Sequence, residues 1–250
     1  MSPRHVLVTG AAGGIGLAVA EAFAARGDTV TGVDARSVGL SGITHAIVAD
    51  LGDERCGDII EQAARSAGPV DVLVNAAGIY PATPFDAMTA AAWDRVQHVN
   101  VRAPVLLTVA LALAGRPAAV VNISSGAATR ARPGAAHYCT SKAALEMATK
   151  ACAVELAGRG IRVNAVAPGF VKVDSPVNPV TEAYAAAVSA NPIGRAGRPA
   201  EVAAAVVWLA GDEAGFVTGA VLRVDGGATA GTAELPLHHT HVTALQGAGH

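Results

Sequence analysis

Short apolar runs rich in β-branched residues alternate along the chain with longer segments rich in Ala and Leu. Each short run is almost continuously apolar, which is typical of parallel strands covered on both faces. This pattern predicts seven strands, at residues 5–9, 29–34, 45–49, 70–75, 119–124, 162–167 and 220–225. It predicts helices between them, at residues 14–26, 53–67, 86–114, 138–157 and 199–210.

Strand–helix alternation repeated this often predicts the fold class. We expect one α/β domain, residues 1–230, with a Rossmann-like, doubly wound parallel sheet of about seven strands and helices on both of its faces. Right-handed crossovers would place the carboxyl ends of the strands, and any bound ligand, at one edge of the sheet. Only residues 35–44 separate the second and third strands, which leaves room for one turn of helix at most.

Composition excludes several kinds of protein. Of 250 residues, 52% are hydrophobic and 15% are charged, which excludes intrinsic disorder, and a formal net charge of −2 does not suggest a nucleic-acid partner. Three cysteines without a CxxC spacing fit a reducing compartment, so we expect a cytoplasmic protein with neither disulfides nor a metal site. The N-terminus has no signal-peptide pattern, and the longest apolar stretch, residues 103–115, is too short to span a membrane.

The last twenty residues, 231–250, form a tail of different composition, rich in Gly, Thr and Ala. Its four histidines contain no pair at helical i, i+4 spacing, which argues against a metal site. We expect a disordered or interface tail, and the alternative that it folds over a neighbouring active site stays open. The histidines are His238, His239, His241 and His250.

A glycine-rich turn, TGAAGGIG at residues 9–16, follows the first predicted strand and opens the first predicted helix. Glycines let the backbone approach a pyrophosphate closely, and the helix N-terminus offers unpaired N–H groups. Asp34 ends the second strand, where its carboxylate can accept hydrogen bonds from ribose hydroxyls and would repel a 2′-phosphate. We therefore expect NAD rather than NADP, and Arg36 is the one feature that weakens this preference. A methyltransferase has a similar turn and acidic residue, so this motif alone leaves that class open.

A second group of residues points to proton transfer. Tyr138 and Lys142 are four residues apart in a predicted helix and therefore share one face, and Ser125 ends a predicted strand thirteen residues before Tyr138. The pKa of an unperturbed tyrosine is about 10, too high for an efficient base at neutral pH, but a neighbouring ammonium favours the phenolate. Tyr138 would accept the proton of an alcohol in oxidation and return it in reduction, while Ser125 would stabilise the substrate oxygen.

Together these motifs resemble the short-chain dehydrogenase/reductase family over residues 6–227. The glycine spacing is TG-x-x-x-G-x-G, and later landmarks are NAAG at 75–78, PG at 168–169 and VDGG at 224–227. The resemblance implies that Lys142 also holds ribose hydroxyls, and that Asn100 is a fourth catalytic residue holding a water that links Lys142 to solvent. The residues expected to contact the cofactor are Gly10, Gly14, Ile15, Gly16, Asp34, Asp50, Leu51, Asn75, Gly78, Tyr138, Lys142, Pro168, Gly169 and Val171.

The chain departs from the family at Val173, where the family carries a Thr that holds the nicotinamide carboxamide. The Val171 backbone alone, or Ser175, would then hold this group. Residues 173–191, which include Pro176 and Pro179, are expected to form a partly stiffened lid over a small substrate. The pocket candidates are Ile79, Tyr80, Ala127, Arg132, His137 and Phe170.

The expected function is NAD-dependent interconversion of a secondary alcohol and a ketone, on a small substrate that is cyclic or acidic, in secondary metabolism. Arg130 and Arg132 could reach an acidic substrate. The segment from Ser125 to Tyr138 is similar to dihydrodiol dehydrogenases that oxidise dihydroxycyclohexadiene carboxylates, which stays open as an alternative. A non-catalytic NAD-binding redox sensor also stays open, whereas the chain is too short for an extended-family epimerase. The resemblance implies a homo-oligomer, a dimer or tetramer paired through helices 86–114 and 138–157.

Overall fold

The structure is a computed structural model that describes residues 3–36, 42–173, 181–182, 185, 187 and 189–231. The strands in this part of the chain are β1 (His5–Thr9), β2 (Thr29–Asp34), β3 (His45–Val48), β4 (Val72–Asn75), β5 (Ala118–Ile123), β6 (Ile161–Pro168) and β7 (Val221–Val224). The α-helices are α1 (Gly14–Ala24), α2 (Asp58–Ala67), α3 (Ala90–Gln97), α4 (Ala103–Leu113), α5 (Ala136–Leu156) and α6 (Pro199–Ala210). All strand pairs are parallel, in the order β3-β2-β1-β4-β5-β6-β7, which confirms the predicted fold class.

The predicted elements are present with shifted ends, and two predicted helices are composite. The helix expected at 86–114 follows a 3-10 turn at Phe85–Ala87 and consists of α3 and α4 joined by a π-helical turn, His98–Arg102. The helix expected at 53–67 begins with a 3-10 turn, Glu54–Gly57, before α2. Asp53 caps that turn by accepting a 2.8 Å hydrogen bond from the Arg55 N–H.

Alternation along β1 explains why the sheet is covered on both faces. Val6 and Val8 point to one face, where they pack in one cluster with Phe23 of α1. Leu7 points to the other face and packs in a second cluster with Leu107 of α4. All five side chains are fully buried, and burial of each contributes about 1.5–3 kcal/mol relative to exposure.

A buried hydrogen-bond chain ties the centre of the sheet to α5. Asn75 Nδ2 donates to Asn122 Oδ1 (2.8 Å), and Asn122 Nδ2 donates to Thr149 Oγ1 (2.9 Å). Thr149 Oγ1 in turn donates to the Leu145 carbonyl (2.8 Å). Because Asn75 and Asn122 are register partners near the carboxyl ends of β4 and β5, this chain fixes α5 relative to the ligand-binding edge.

One helix in the described residues, Ala90–Leu113, passes a length and composition test for a membrane span, with 24 residues and a mean hydropathy of 1.4. Half of its apolar window is buried inside the protein, as expected for a core helix, and a single such helix is weak evidence for a membrane span.

Candidate active site

The glycine-rich turn closes on itself by backbone contact. Gly10 and Gly14 have positive φ values of 70° and 56°, which glycine adopts without strain. A Cβ on Gly16 would overlap the Gly10 carbonyl oxygen and lie 2.7 Å from its carbonyl carbon. Gly13, at the N-cap of α1, has no side chain to cap the first-turn N–H groups, so they can bind an anion. The cradle therefore fits the pyrophosphate of a dinucleotide.

Asp34 lies at the rim of this cradle with its carboxylate already positioned. Its Oδ2 accepts from the Ala12 N–H (3.1 Å), and its Oδ1 accepts from the N–H (3.0 Å) and Nε (3.2 Å) of Arg36. Arg36 Nη2 lies 3.8 Å from the position of a Cβ on Gly13. The rim thus holds a carboxylate and a guanidinium side by side.

Asp50 and Leu51, the residues expected beside adenine, follow β3. The Asp50 carboxylate accepts from the Gly52 N–H (2.8 Å) and from Arg95 Nη2 (2.9 and 3.0 Å). The hydrogen bond from Arg95 lowers the pKa of Asp50, so its carboxylate is ionised at neutral pH. Leu51 is buried in the apolar cluster on the α4 face of the sheet. Sequence reasoning missed Arg95, because nothing in its own motif pairs it with residue 50.

Ser125 and Tyr138 come together as the sequence predicted. Ser125 lies just after β5 and Tyr138 lies in the first turn of α5, and the Ser125 hydroxyl is close enough to the phenol to lower its pKa. Burial raises the pKa of Tyr138, and the largest opposing influences are the Ser125 hydroxyl and the charge of Arg132. Without cofactor, Tyr138 is therefore a neutral phenol at neutral pH.

Two cations flank the Tyr138 ring. The Arg132 guanidinium carbon lies 5.3 Å from the ring centroid, and Lys142 Nζ lies 5.8 Å from it. Lys142 Nζ donates to the Ile123 carbonyl (2.7 Å), and burial lowers the pKa of Lys142 to about 8. The charge of Arg132 lowers the pKa of Tyr138. The role predicted for Lys142 in making Tyr138 more acidic stays a prediction.

Asn100 lies in the π-helical turn and is fully buried. Its Oδ1 accepts from the Ile79 N–H (2.9 Å), and its Nδ2 donates to the Ile79 carbonyl (2.9 Å) and to Ser141 Oγ (3.0 Å). Ser141 Oγ donates to the Tyr138 carbonyl (2.7 Å), so the amide links the loop after β4 to α5. π-Turns occur often at functional sites, and the water relay predicted for Asn100 stays a prediction.

The NAAG turn brings Gly78, a predicted cofactor residue, against this cluster. A Cβ on Gly78 would lie 3.4 Å from Asn100 Oδ1 and 3.5 Å from Lys142 Nζ. Thr9 Oγ1 accepts from the N–H groups of Ala76 and Ala77 (3.1 Å each), which holds the turn beside the glycine cradle. The cradle and the catalytic side chains therefore border one edge of the sheet.

The later landmarks, PG and VDGG, pack on each other. A Cβ on Gly169, which follows Pro168 at the end of β6, would lie 2.8 Å from the Asp225 Cα. The Asp225 carboxylate accepts from the N–H groups of Gly227 (2.9 Å) and Thr229 (3.0 Å). This close contact explains why position 169 is occupied by glycine.

Val171 and Val173 follow the PG motif, and Val173 lies beside the glycine cradle. Gly197 N–H donates to the Phe170 carbonyl (2.8 Å) and Lys172 N–H donates to the Gly197 carbonyl (3.2 Å), which turns the N–H and C=O of Val171 away from Gly197. A Val173 methyl carbon lies 3.5 Å from the position of a Cβ on Gly14. Val171 can therefore offer backbone groups to a cofactor, whereas Val173 offers only an apolar surface.

The other pocket candidates divide into two groups. Ile79, Tyr80, Ala127 and Phe170 are half-buried, and the Tyr80 ring packs against the Tyr138 ring with centroids 5.6 Å apart. His137 is instead fully buried, and both of its ring nitrogens have partners within the protein, Tyr138 N–H and Thr83 Oγ1. His137 thus supports the pocket wall without lining it.

Three predicted features lie wholly or partly outside the described residues. These are the second crossover at 37–41, most of the lid at 173–191 with Ser175, Pro176 and Pro179, and the tail beyond Gly231. The expectations about them stay predictions.

Comparisons with known proteins agree with this geometry. A family model described as enoyl-(acyl carrier protein) reductase matches residues 10–229. The 3-oxoacyl-(acyl-carrier-protein) reductase FabG of Thermotoga maritima is 38% identical over 235 residues, covering 88% of this chain and 96% of that protein. The cis-4-hydroxycyclohexanecarboxylate dehydrogenase of Sinomonas cyclohexanicum is 37% identical, covering 91% of this chain and 97% of that protein.

A solved structure described as 4-hydroxyisoleucine dehydrogenase complexed with NADH superposes with a TM-score of 0.82 at 29% identity, covering 92% of this chain and 100% of that one. Similarity over nearly the whole length, to proteins named as reductases and dehydrogenases, goes beyond a shared fold. The chain belongs to the short-chain dehydrogenase/reductase family and is an oxidoreductase of secondary alcohols.

Proposed function

We propose that this protein is an NAD-dependent dehydrogenase that interconverts a small, acidic, cyclic secondary alcohol and its ketone. The observation that carries the proposal is the position of Tyr138 beside Ser125 and the buried Lys142, at the same sheet edge as the glycine cradle. A bound nicotinamide cofactor supplies the acceptor of hydride in oxidation and the donor in reduction. The protein supplies orientation, exclusion of water and a place for the alcohol proton.

The side chains divide that work. Ser125 holds the substrate oxygen against Tyr138, and Tyr138 takes or returns the proton at its phenolic oxygen. Arg132 and Lys142 stabilise the phenolate that forms, since cations at 5.3 and 5.8 Å from the ring centroid oppose the desolvation of the charge. Asn100, through Ile79 and Ser141, holds the loop and the helix in register.

The overall function is tested by incubating the protein with NAD⁺ and a panel of secondary alcohols and cyclic diols, and following NADH absorbance. Turnover of a hydroxycyclohexane carboxylate or a dihydroxycyclohexadiene carboxylate supports the proposal, and the second substrate would favour the dihydrodiol alternative. Tight NADH binding without turnover of any panel member would instead support a redox sensor.

The preference for NAD rests on Asp34, whose carboxylate would repel a 2′-phosphate. We expect Asp34→Asn to reduce the ratio of kcat/KM for NAD⁺ over NADP⁺ by about tenfold or more, since this change removes about 1.4 kcal/mol or more of discrimination. Asn retains an oxygen that can accept from the Ala12 N–H, so the cradle should persist. Adding Arg36→Gln to the Asp34→Asn variant should lower kcat/KM for NADP⁺ again. An unchanged ratio in Asp34→Asn would contradict the assignment.

An acidic substrate is proposed because Arg132 lies half-buried over the Tyr138 ring, close to the reacting position. The names of two similar proteins, cis-4-hydroxycyclohexanecarboxylate dehydrogenase and 4-hydroxyisoleucine dehydrogenase, describe molecules that combine a hydroxyl with a carboxyl group. A guanidinium binds a carboxylate through paired hydrogen bonds.

We expect Arg132→Ala to raise KM for 4-hydroxycyclohexanecarboxylate by about tenfold or more and to leave KM for 4-methylcyclohexanol within about twofold, since a charge-assisted hydrogen bond contributes about 1.5–3 kcal/mol. The matched control is Arg130→Ala, because Arg130 donates to the Ala228 carbonyl (2.8 Å) instead of facing Tyr138. Equal changes in KM for the acidic and the neutral alcohol would end the anion hypothesis.

We further propose a homotetramer. Val109 and Leu113 of α4 line an apolar cavity together with Ala151 and Leu156 of α5. Met147 and Val154 of α5 are exposed, as are Trp208 in α6 and Phe216 after it. The apolar surfaces at α4 and α5 and at α6 allow a second copy to pack on each, as in oligomers with two kinds of two-fold interface. Light scattering should give four times the mass of one chain, and a monomer at micromolar concentration would contradict the proposal.

A further inference from the structure

His137 immediately precedes Tyr138 in α5, and its imidazole is fully buried. The Tyr138 N–H donates to His137 Nδ1 (2.8 Å), and His137 Nε2 lies 3.2 Å from Thr83 Oγ1. A backbone N–H can only donate, so Nδ1 carries no proton. In the neutral ring Nε2 then carries it and donates to Thr83. Burial lowers the pKa of His137, which favours this neutral form.

The peptide unit between His137 and Tyr138 is thereby held at both of its polar atoms. Its N–H donates to His137 Nδ1, and its carbonyl accepts from Gln97 Nε2 (3.0 Å). N–H groups in the first turn of a helix have no partner inside the helix, and Ala135 at the N-cap has no side-chain oxygen to offer. The imidazole of His137 takes the place of a cap, directly beside the Cα of Tyr138.

The second ring nitrogen extends this support to the pocket wall. Thr83 belongs to the loop that carries Tyr80, and the Thr83 N–H donates to the Gly134 carbonyl (2.9 Å). The Tyr80 ring packs on the Tyr138 ring with centroids 5.6 Å apart. His137 therefore joins the start of α5 to the loop that forms one side of the catalytic tyrosine.

We infer that His137 is a positioning residue that keeps the Tyr138 hydroxyl beside Ser125 by accepting a hydrogen bond from the Tyr138 N–H. The inference rests on the proposed function, in which Tyr138 transfers the proton. Rotation of this peptide would move the phenol away from Ser125, and displacement of about 1 Å can reduce a rate by about a hundredfold.

Three substitutions separate the two contacts. His137→Asn keeps an acceptor at the position of Nδ1 but cannot reach Thr83. His137→Phe keeps the volume of the ring and loses both hydrogen bonds. Thr83→Val removes only the contact at Nε2, so it should retain kcat within about threefold.

We expect His137→Phe to reduce kcat for NAD⁺-dependent oxidation of 4-hydroxycyclohexanecarboxylate by about tenfold to a hundredfold, with Kd for NADH within about twofold. His137→Asn should retain kcat within about threefold, because a neutral acceptor is restored. Independently of turnover, the tyrosinate absorbance of Tyr138 should appear at higher pH in His137→Phe than in the wild type and be unshifted in His137→Asn. Nitrogen NMR of the wild-type ring should show the tautomer with its proton on Nε2.

Wild-type kcat and an unshifted tyrosinate titration in a folded His137→Phe protein would overturn the inference. If His137→Phe does not fold, His137→Asn decides, because it keeps the acceptor. A shifted tyrosinate titration together with a tenfold loss of kcat in folded His137→Asn would overturn the inference as well. Tyr138→Phe is measured in parallel. An active Tyr138→Phe enzyme means that the proposed function fails, whereas an inactive one beside a fully active His137→Phe means that only this inference fails.

Discussion

Tyr138→Phe should reduce kcat by about a thousandfold or more, because removal of a general acid–base group typically costs about 10²–10⁴-fold. The ring would still fill its place against Tyr80 and between Arg132 and Lys142, so the fold and the cradle should be unaffected. Kd for NADH, measured by fluorescence titration, should therefore stay within about twofold of the wild-type value, since no cofactor cradle contact changes.

The matched control is Tyr80→Phe, which removes a hydroxyl from the neighbouring ring. It should retain most of kcat, because Tyr80 acts on Tyr138 through packing of the rings and Phe preserves that packing. If Tyr138→Phe kept most of its kcat, the proton would pass through another group and the mechanism would be misassigned.

Gly16→Ala should raise Kd for NADH by about tenfold or more and lower the free energy of unfolding by about 1–3 kcal/mol, as overpacking does. The new Cβ would overlap the Gly10 carbonyl oxygen, and neither backbone can move without opening the turn. Fluorescence titration measures the first effect and thermal unfolding the second.

Gly13→Ala is the control for that change, because Gly13 belongs to the same turn. Its φ of 174° suits any residue, and the nearest atom to a Cβ there is Arg36 Nη2, at 3.8 Å. Gly13→Ala should keep both NADH affinity and stability close to wild type. Equal losses of NADH affinity and of stability in Gly16→Ala and Gly13→Ala would mean that the close contact between Gly16 and Gly10 does not determine the shape of the cradle.

The fold could be predicted because its determinants are local and periodic. Each strand core is a short apolar run, and alternation such as Val6, Leu7 and Val8 supplies both faces of a sheet. The i, i+4 spacing of Tyr138 and Lys142 required only that residues 138–142 be helical, and the position of Ser125 required only that a strand end there. These features can still be predicted when the ends of strands and helices are misplaced by one or two residues.

Contacts made by long-range packing could not be predicted in this way. Arg132 lies in the segment between β5 and α5, and the stacking of its guanidinium on Tyr138 depends on the path of that segment. The pairing of Arg95 with Asp50 joins residues 45 positions apart. The inward direction of His137 depends on the N–H geometry of the first turn of α5, which residue spacing does not specify.

The central claim, that Tyr138 transfers the proton and that cations near its ring favour the phenolate, is tested most directly by titrating its ionisation. Tyrosinate absorbance is recorded against pH for the wild type and for Tyr138→Phe, each with and without NAD⁺, and the difference isolates Tyr138. Burial raises the pKa of Tyr138 in the cofactor-free protein, and addition of the positively charged ring of NAD⁺ should move this ionisation to lower pH. An ionisation that stays at the same pH with NAD⁺ bound would contradict the account.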